Sequence, residues 1–206
     1  ATEKAPAIGY VGFRVEERPE TCRCASGPWG AWAARRPDAG PPCSTVRDVH
    51  VDSWLLRAAA RRPTAEALSG VPYATLAERV DDAARRVAGH GVGPGDRVAL
   101  ELPPGEAFVV LLHALLRVGA VAVPIDPRAP EADRAARRAI AAWAVDDERL
   151  LDELAPDPDA ALRSTHDLDA PAIVVHTSGT SGAAKPIPLT HGNWLWSALG
   201  SAAALG

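Results

Sequence analysis

Methionine is absent from the chain, including at its first position, so we expect the natural start to lie upstream or to have been removed. The chain also lacks any run of about 18 apolar residues, and we therefore expect no membrane-spanning helix. Its opening residues, "ATEKAPAIGY", have neither the basic nor the apolar region of a secretory signal peptide. Three cysteines cannot all pair with one another, which favours a reduced, cytoplasmic setting.

A strong net charge is lacking as well. The formal net charge is -4 and the 22 basic residues are scattered along the chain, so a nucleic acid is not the expected partner. Apolar residues, in contrast, are abundant and make up 47% of the 206 residues. That content is enough to build the core of one large domain, or of the front part of a larger one.

Regular patterning is lacking in residues 1–45. This segment is rich in Pro, Gly, Arg and Trp and has no sustained hydrophobic period, so we predict an irregular, disordered leader at 1–45 and a folded domain at 46–206. Cys22, Cys24, Cys43 and His50 could be read as a zinc site. Because the Cys-x-Cys spacing differs from the usual paired ligands, we expect unpaired thiols and no bound metal.

From about residue 48 onward, helical and strand patterns alternate. The first predicted helix, "DSWLLRAAARR", has Asp52 or Ser53 as its cap, and a capping box of Thr75 and Glu78 opens the second. Two more helices follow: "EAFVVLLHALLRVG", which Gly119 ends, and "PEADRAARRAIAA". The second helix has an apolar stripe at helical spacing, formed by Leu76, Val80, Ala83, Ala84 and Val87.

Short apolar runs between these helices are the predicted strands. They are "RVALEL", "AVAVPID", a weak strand at 143–145 and "AIVV", and a short hairpin precedes the second helix. Their nearly continuous apolar character is typical of strands that are buried on both faces of a sheet. Strands that alternate with helices through short connections predict an α/β fold with a mostly parallel sheet and flanking helices.

The stretch "VVHTSGTSGAAKPIPLTHGN", residues 174–193, follows the last strand with small, hydroxyl-bearing residues and a lysine. Its glycines let the backbone approach a ligand closely, and successive N–H groups in such a loop can form an anion-binding concavity. Hydroxyl donors and the lysine charge suit a polyphosphate. The pattern predicts a loop around the phosphates of a nucleotide, formed by Thr177, Ser178, Gly179, Thr180, Ser181, Gly182 and Lys185.

This loop differs from a P-loop. Lys185 is followed by Pro186 and Pro188, which forbid the helix that a P-loop requires at this point. Two prolines at a spacing of two remove backbone donors from one side of the segment, so we expect an edge strand there. Thr190 then caps a final helix. The plainer alternative is a hydrophilic hairpin loop with a solvated lysine.

The stretch resembles the phosphate-binding signature of the adenylate-forming superfamily, which includes acyl- and aryl-CoA synthetases and the adenylation domains of peptide synthetases. The family pattern is Thr-Ser-Gly-Thr-Thr-Gly-x-Pro-Lys-Gly, then a short strand, then Thr/Ser-His/Tyr-x-Asn. Ala184 and Pro186 depart from it, because they stand where the family usually has proline and glycine. The residues in register are Thr177, Ser178, Gly179, Thr180, Ser181, Gly182, Lys185, Thr190, His191 and Asn193.

The likeness covers roughly residues 50–206, and "HALLRVGAVAV" and the tail "THGNWLWSALGSAAALG" are most similar to o-succinylbenzoate–CoA ligases of menaquinone synthesis. It implies the N-terminal part of the family's large domain, with the remainder expected downstream and this fragment inactive alone. It also implies a ligase that forms an acyl adenylate from ATP, Mg²⁺ and a carboxylate, then an acyl-CoA from CoA. The loop residues would bind the nucleotide, and no residue is assigned a catalytic role. The alternative is a non-catalytic nucleotide-binding remnant or scaffold.

The histidines near these elements receive mostly structural expectations. We expect His113 to be packed or partly exposed in its apolar helix. His176, directly before the loop, could line the nucleotide pocket or be structural, and His191 would support the base of the loop. Asp126 lies in a rigid turn next to prolines, and we assign it no chemistry.

Two further groups are predicted from their helical positions. Trp194 and Trp196 are expected to be packing residues on different faces of the final helix. The arginine-rich helix is expected to present a solvated face formed by Arg134, Arg137 and Arg138.

Overall fold

The computed structural model describes residues 13–15, 49–147, 149–177 and 185–205 of the chain. The strands are β1 Phe13–Val15, β2 Val49–Asp52, β3 Glu66–Leu68, β4 Val71–Pro72, β5 Arg97–Leu100, β6 Val121–Pro124, β7 Trp143–Val145, β8 Thr165–Asp167, β9 Pro171–Thr177 and β10 Lys185–Thr190. The helices are α1 Trp54–Arg61, α2 Tyr73–Gly89, α3 Glu106–Val118, α4 Glu131–Arg138, α5 Leu150–Glu153 and α6 His191–Leu205. Among them, no helix is long and apolar enough to cross a bilayer.

The leader and its cysteines mostly fall outside the described residues. β1 lies inside the segment that the sequence predicts to be irregular, and it pairs antiparallel with β2. Cys22, Cys24 and Cys43 lie outside the described residues, while His50 lies in β2. The division of the chain at residue 45 therefore stays a prediction.

The main sheet has the strand order β10-β9-β6-β5-β7. β6 and β7 both run parallel to β5, and β9 runs parallel to β6, whereas β10 is antiparallel to β9. Two smaller sheets, β1-β2-β8 and β3-β4, complete the described strands. The prediction of an α/β fold with a mostly parallel sheet is confirmed.

Apolar side chains cover both faces of the main sheet, as the continuous apolar strands predict. On one face, α2 and α3 pack against each other and against side chains that include Leu100, Ala122 and Ile173. On the other face, Val121, Val123 and Val174 form a smaller cluster against Ile140 and Ala141, which follow α4. The main core therefore lies on the α2–α3 side, and the residues that follow α4 pack on the opposite side.

The helix starts show where local sequence patterns were sufficient and where they were not. The predicted apolar stripe of α2 is the set of its buried residues, Leu76, Val80, Ala83, Ala84 and Val87. The predicted capping box was wrong, because α2 begins at Tyr73, before Thr75, and has no side-chain cap. The N–H groups of Tyr73 and Ala74 instead donate to the carbonyls of Ala65 and Pro63, each at 3.0 Å. Ser53 occupies the N-cap position of α1 without a side-chain hydrogen bond.

The end of α3 and the tryptophans of α6 give one confirmed and one corrected prediction. Gly119 ends α3 with a φ of 88°, a left-handed conformation that favours glycine. Trp194 is packed, with its ring 5.8 Å from that of Trp54. Trp196 is 66% exposed, so its predicted packing role was wrong for the described chain. The spacing of two residues places the two rings on different faces of α6, and the described core contacts one of those faces.

A buried carboxylate holds α4 on the sheet. Glu101, directly after β5, has a side chain that is 2% exposed and forms ion pairs with Arg134 and Arg138. Glu131, in the first turn of α4, contacts the same two arginines. The predicted solvated face was therefore wrong for Arg134 and Arg138, because a charge buried at the end of a strand needs partners of opposite sign.

Candidate functional site

The predicted phosphate loop begins at the last residue of β9 and ends at the first residue of β10. Thr177 and Lys185 are register partners at the end of this antiparallel pair, and both are exposed. The structure thus brings the first and last predicted site residues together. The other predicted site residues lie outside the described residues: Ser178, Gly179, Thr180, Ser181 and Gly182.

β10 is an edge strand of the described sheet, as its prolines predict. It pairs with β9 on one side, where Pro186 lies opposite His176 and Pro188 opposite Val174. Because Pro lacks an N–H group, two prolines are tolerated when their side of the strand has no neighbour to bond. The edge position therefore explains why a segment with two prolines can form the strand that follows the loop.

The chain after β10 is fixed by the cap that the sequence predicts. The N–H of Asn193 donates to Oγ1 of Thr190 at 3.2 Å, and the N–H of Thr190 donates to Oδ1 of Asn193 at 2.9 Å. These reciprocal bonds satisfy donors at the start of α6 in the manner of a capping box. Thr190 and Asn193 of the family signature therefore act structurally, at the base of the hairpin.

Two further backbone bonds connect α6 to the turn before β9. The N–H groups of His191 and Gly192 donate to the carbonyls of Ala170 and Leu168 at 3.1 and 2.8 Å. A Cβ atom on Gly192 would lie 2.9 Å from the carbonyl oxygen of Leu168, so this close approach requires glycine. Both ends of the hairpin are thereby attached to the same turn.

A pair of stacked histidines lies beneath this attachment. The rings of His166 in β8 and His191 are 4.3 Å apart and nearly parallel, and both residues are buried. Burial, with the nearby His191 and arginine charges, lowers the pKa of His166 to about 3. Burial and Arg163 lower the pKa of His191 to about 4, against an opposing effect of Asp167. His191 supports the base of the hairpin, as predicted, whereas no sequence pattern pointed to His166.

His176 lies on the α4 side of the sheet, next to the loop. Side chains alternate along a strand, so His176 shares a face with Val174, which packs against the residues after α4. Its Nδ1 atom is buried and has no hydrogen-bond partner among the described residues. Burial and the charge of Arg137 lower its pKa. His113, in contrast, is half-buried in α3, where burial lowers its pKa, in agreement with the predicted packing position.

The carboxyl ends of the parallel strands form one edge next to the hairpin. Since β6 neighbours β9, the residues after β6 lie beside the end of β9. Ligands of open α/β sheets bind at this edge, outside the carboxyl ends of the strands. A cavity of about 230 Å³ opens there, lined mostly by residues after β5 and β6: Leu102, Pro104, Phe108, Pro124, Ile125, Asp126, Pro127 and Arg128.

Asp126 in this cavity is engaged by a neighbour. Its carboxylate accepts hydrogen bonds from the Arg128 side chain at 3.0 Å and from the Arg128 backbone N–H at 2.9 Å. These bonds lower the pKa of Asp126 to about 2. The geometry is that of a side-chain-stabilised turn, as the sequence predicts at this position.

Comparison with known proteins identifies relatives of this chain. A profile of the AMP-binding enzyme family matches residues 55–145. The 2-succinylbenzoate–CoA ligase of Geobacillus kaustophilus is 37% identical over 75% of this chain and 36% of the relative. The salicyl-AMP ligase/salicyl-S-ArCP synthetase of Mycobacterium tuberculosis is 34% identical over 95% of this chain and 39% of the relative.

Solved structures show the same fold. o-Succinylbenzoate CoA synthetase from Bacillus subtilis, bound to a product analogue, has a TM-score of 0.71 and 25% identity, over 76% of this chain and 37% of that chain. The same enzyme in complex with ATP and a magnesium ion has a TM-score of 0.69 at 24% identity, over 76% of this chain and 48% of that chain. The chain spans less than half the length of these relatives and structures. Sequence and fold together show that the chain belongs to the adenylate-forming superfamily of AMP-binding enzymes.

Proposed function

We propose that the protein is an acid–thiol ligase that forms an acyl adenylate from ATP and a carboxylate, and then an acyl-CoA. The observation that carries the proposal is the placement of Thr177 and Lys185 opposite each other, at the ligand-binding edge of a parallel sheet. We assign phosphate binding to Thr177, Ser178, Gly179, Thr180, Ser181, Gly182 and Lys185.

The chemistry of the first step explains why these residue types suit the site. A carboxylate oxygen attacks the α-phosphorus of ATP, and the bond from that phosphorus to the bridging oxygen of the β-phosphate breaks. Negative charge then grows on the departing pyrophosphate. Hydroxyl groups, backbone N–H groups and the ammonium group of Lys185 stabilise that charge when they are already oriented towards it.

Mg²⁺ fits this proposal as a companion of the substrate. It commonly binds through substrate phosphates and one or two carboxylates rather than in an all-protein cage. The described residues contain no group of three or more His, Cys, Asp or Glu side chains arranged for a metal. We propose, from this general behaviour of Mg²⁺, that it arrives with ATP and neutralises part of the phosphate charge.

In the second step, the thiolate of CoA attacks the acyl carbon and AMP leaves. We propose o-succinylbenzoate as the carboxylate, and a place in menaquinone synthesis, because that acid is named in both a sequence relative and the structures of the same fold. A cytoplasmic location belongs to the same proposal, since ATP and CoA are available there.

The test uses the complete protein that contains this chain. ATP–pyrophosphate exchange should depend on a carboxylate, and a panel of o-succinylbenzoate, salicylate and ferulate should give the highest kcat/KM for o-succinylbenzoate. A preference for another acid would overturn the substrate assignment and leave the ligase assignment standing. Nucleotide binding with no exchange for any acid would show instead a non-catalytic nucleotide-binding remnant.

The loop assignment is tested through the two half-reactions. We expect Lys185→Ala to slow adenylation by about 10²-fold, a typical effect of removing one preorganised donor to a developing anion. Thioester formation from preformed acyl adenylate should be affected far less, because that step no longer contains a β,γ-phosphate. Arg61→Ala, an exposed charge change at the end of α1, is the control. Equal loss in both half-reactions would show that Lys185 only maintains the fold.

A further inference from the structure

Helix α6 has no Asp, Glu, Lys or Arg among its 15 residues. A helix at the surface of a protein usually carries a charged or polar face opposite its apolar one, whereas a helix without such a face belongs to the interior. One side of α6 already has cover, because Leu195 is 3% exposed and Trp194 packs against the main core. The composition indicates that the other side is also covered in the complete protein.

An apolar stripe on α6 is open to solvent in the described chain. Trp196 is 66% exposed. Leu199 and Ala203 follow it by three and seven residues, so the three side chains share one face of the helix, and we call them the Trp196 stripe. Leu199 is half-buried and Ala203 is exposed. Covering the indole ring would remove about 150–250 Å² of surface from water, which makes this stripe a strong site for packing.

The strand before α6 shows the same lack of cover. Ile187 in β10 is 40% exposed, and within the described part of the chain it and Trp196 are the large apolar side chains that are exposed. Single apolar residues scattered over a surface are ordinary, but these two belong to consecutive elements that contact each other. Uncovered apolar surface is therefore concentrated in one region of the fold.

The outer edge of β10 is a poor place for an added strand. Pro186 and Pro188 have no N–H group, and the N–H of Thr190 donates to Asn193 at 2.9 Å. These alternate positions share one side of the strand, so that side cannot form a regular ladder with a new neighbour. This argues against a second copy joined edge to edge, and it leaves side-chain packing on α6 as the mode of contact.

The length of the relatives indicates what covers the stripe. The chain spans less than half the length of the relatives and solved structures of its family. Chain in the same polypeptide is present next to α6 at a high effective concentration, which favours it over a separate partner. We infer that the Trp196 stripe is an internal docking surface, covered in the complete protein by a part of the same polypeptide that lies outside this chain. The inference rests on family membership and is independent of the proposed function.

The first experiment measures access to Trp196 in the complete, unaltered protein. Oxidation of Trp196 by hydroxyl radicals, located by mass spectrometry, should be at least about tenfold slower in the folded protein than in denaturing urea. The protection should persist when the protein is diluted about a hundredfold, because a contact within one polypeptide does not depend on concentration. Similar oxidation rates in the folded and unfolded protein would overturn the inference. Protection that is lost on dilution would also overturn it, by assigning the stripe to a second copy.

The second experiment introduces a charge on the stripe and beside it. Trp196→Arg changes the stripe, whereas Ser197→Arg places the same charge at an exposed position on another face of α6. At the urea midpoint of the unaltered complete protein, the ratio of folded to unfolded molecules should be at least about tenfold lower for Trp196→Arg, because an unpaired charge is costly to bury. Ser197→Arg should change that ratio by less than about threefold.

The pair of variants separates the stripe from the helix as a whole. Equal effects of Trp196→Arg and Ser197→Arg, or no effect of Trp196→Arg, would overturn the inference. If Trp196→Arg does not fold at all, the oxidation of the unaltered protein decides, since that measurement needs no substitution.

Discussion

Glu101 provides the sharpest test of how the sheet edge is held together. Its carboxylate is buried between β5 and α4 and is the shared partner of Arg134 and Arg138. The backbone N–H of Glu101 also donates to the carbonyl of Val145 at 2.9 Å, so the residue connects β5 to β7 as well. We expect Glu101→Gln to lower the free energy of unfolding markedly, although the substitution hardly changes the shape of the side chain.

The magnitude follows from the two contacts and their exposure. Hydrogen bonds to charged groups contribute about 1.5–3 kcal/mol each, against about 1 kcal/mol for neutral ones. Gln keeps one acceptor and turns a donor towards a second arginine, so one contact is weakened and the other is lost. Removing one partner of a buried ion pair costs about 3–5 kcal/mol. The side chains of Arg134 and Arg138 are 26% and 30% exposed and can regain water. We therefore expect Glu101→Gln to lower the free energy of unfolding by about 2–3 kcal/mol.

Urea unfolding of the complete protein, followed by tryptophan fluorescence, measures this change as a shift of the midpoint at constant slope. Glu131→Gln is the matched control, because Glu131 contacts the same two arginines with a side chain that is 61% exposed. We expect its effect to be below about 1 kcal/mol, as for exposed ion pairs. Similar effects of the two variants, or none for Glu101→Gln, would refute the view that a buried carboxylate fixes α4 to the sheet.

Two other predictions concern the base of the hairpin. The pKa values of His166 and His191 are lowered on folding, so the unfolded chain binds more protons below about pH 6.5, and stability should fall as pH drops from there towards 4. Each histidine contributes up to about 1.4 kcal/mol per pH unit to the slope of the unfolding free energy against pH. His166→Phe should reduce that slope by about this amount, and an unchanged slope would contradict the argument that burial lowers the pKa of His166. Gly192→Ala should destabilise by about 1–2 kcal/mol in thermal or urea unfolding, because the new Cβ would lie 2.9 Å from a backbone oxygen. Gly200→Ala, in open space on the same helix, should instead stabilise by about 1 kcal/mol, and equal effects of both would show that the Leu168 contact is unimportant.

The features that sequence predicted well are those encoded by neighbouring residues. The stripe of α2 repeats at helical spacing, and helical periodicity alone places those five side chains on one buried face. Gly119 and Thr190 end and begin helices through their own backbone or hydroxyl groups. The two prolines of β10 restrict their own strand to an edge, wherever the rest of the chain lies.

The features that sequence missed depend on partners far along the chain. α2 needs no capping box because carbonyls on the other side of the β3–β4 hairpin accept its first donors. Glu101 and the α4 arginines satisfy one another only after the sheet has formed, so the arginine pattern by itself resembles a solvated face. The ring stack between His166 and His191 joins β8 to α6, and no local spacing reveals it.

The attachments at the base of the hairpin are close neighbours in the sequence. The β9–β10 ladder, the Thr190 cap and the bonds from α6 to the turn before β9 all lie within residues 168–193. In contrast, the pairing of β9 with β6 joins segments separated by α4, β7, α5 and β8. Contacts between near neighbours close short loops, which costs little chain entropy and allows fast formation. The frame that presents Thr177 and Lys185 therefore costs little chain entropy to close once β6 offers β9 a neighbour to pair with.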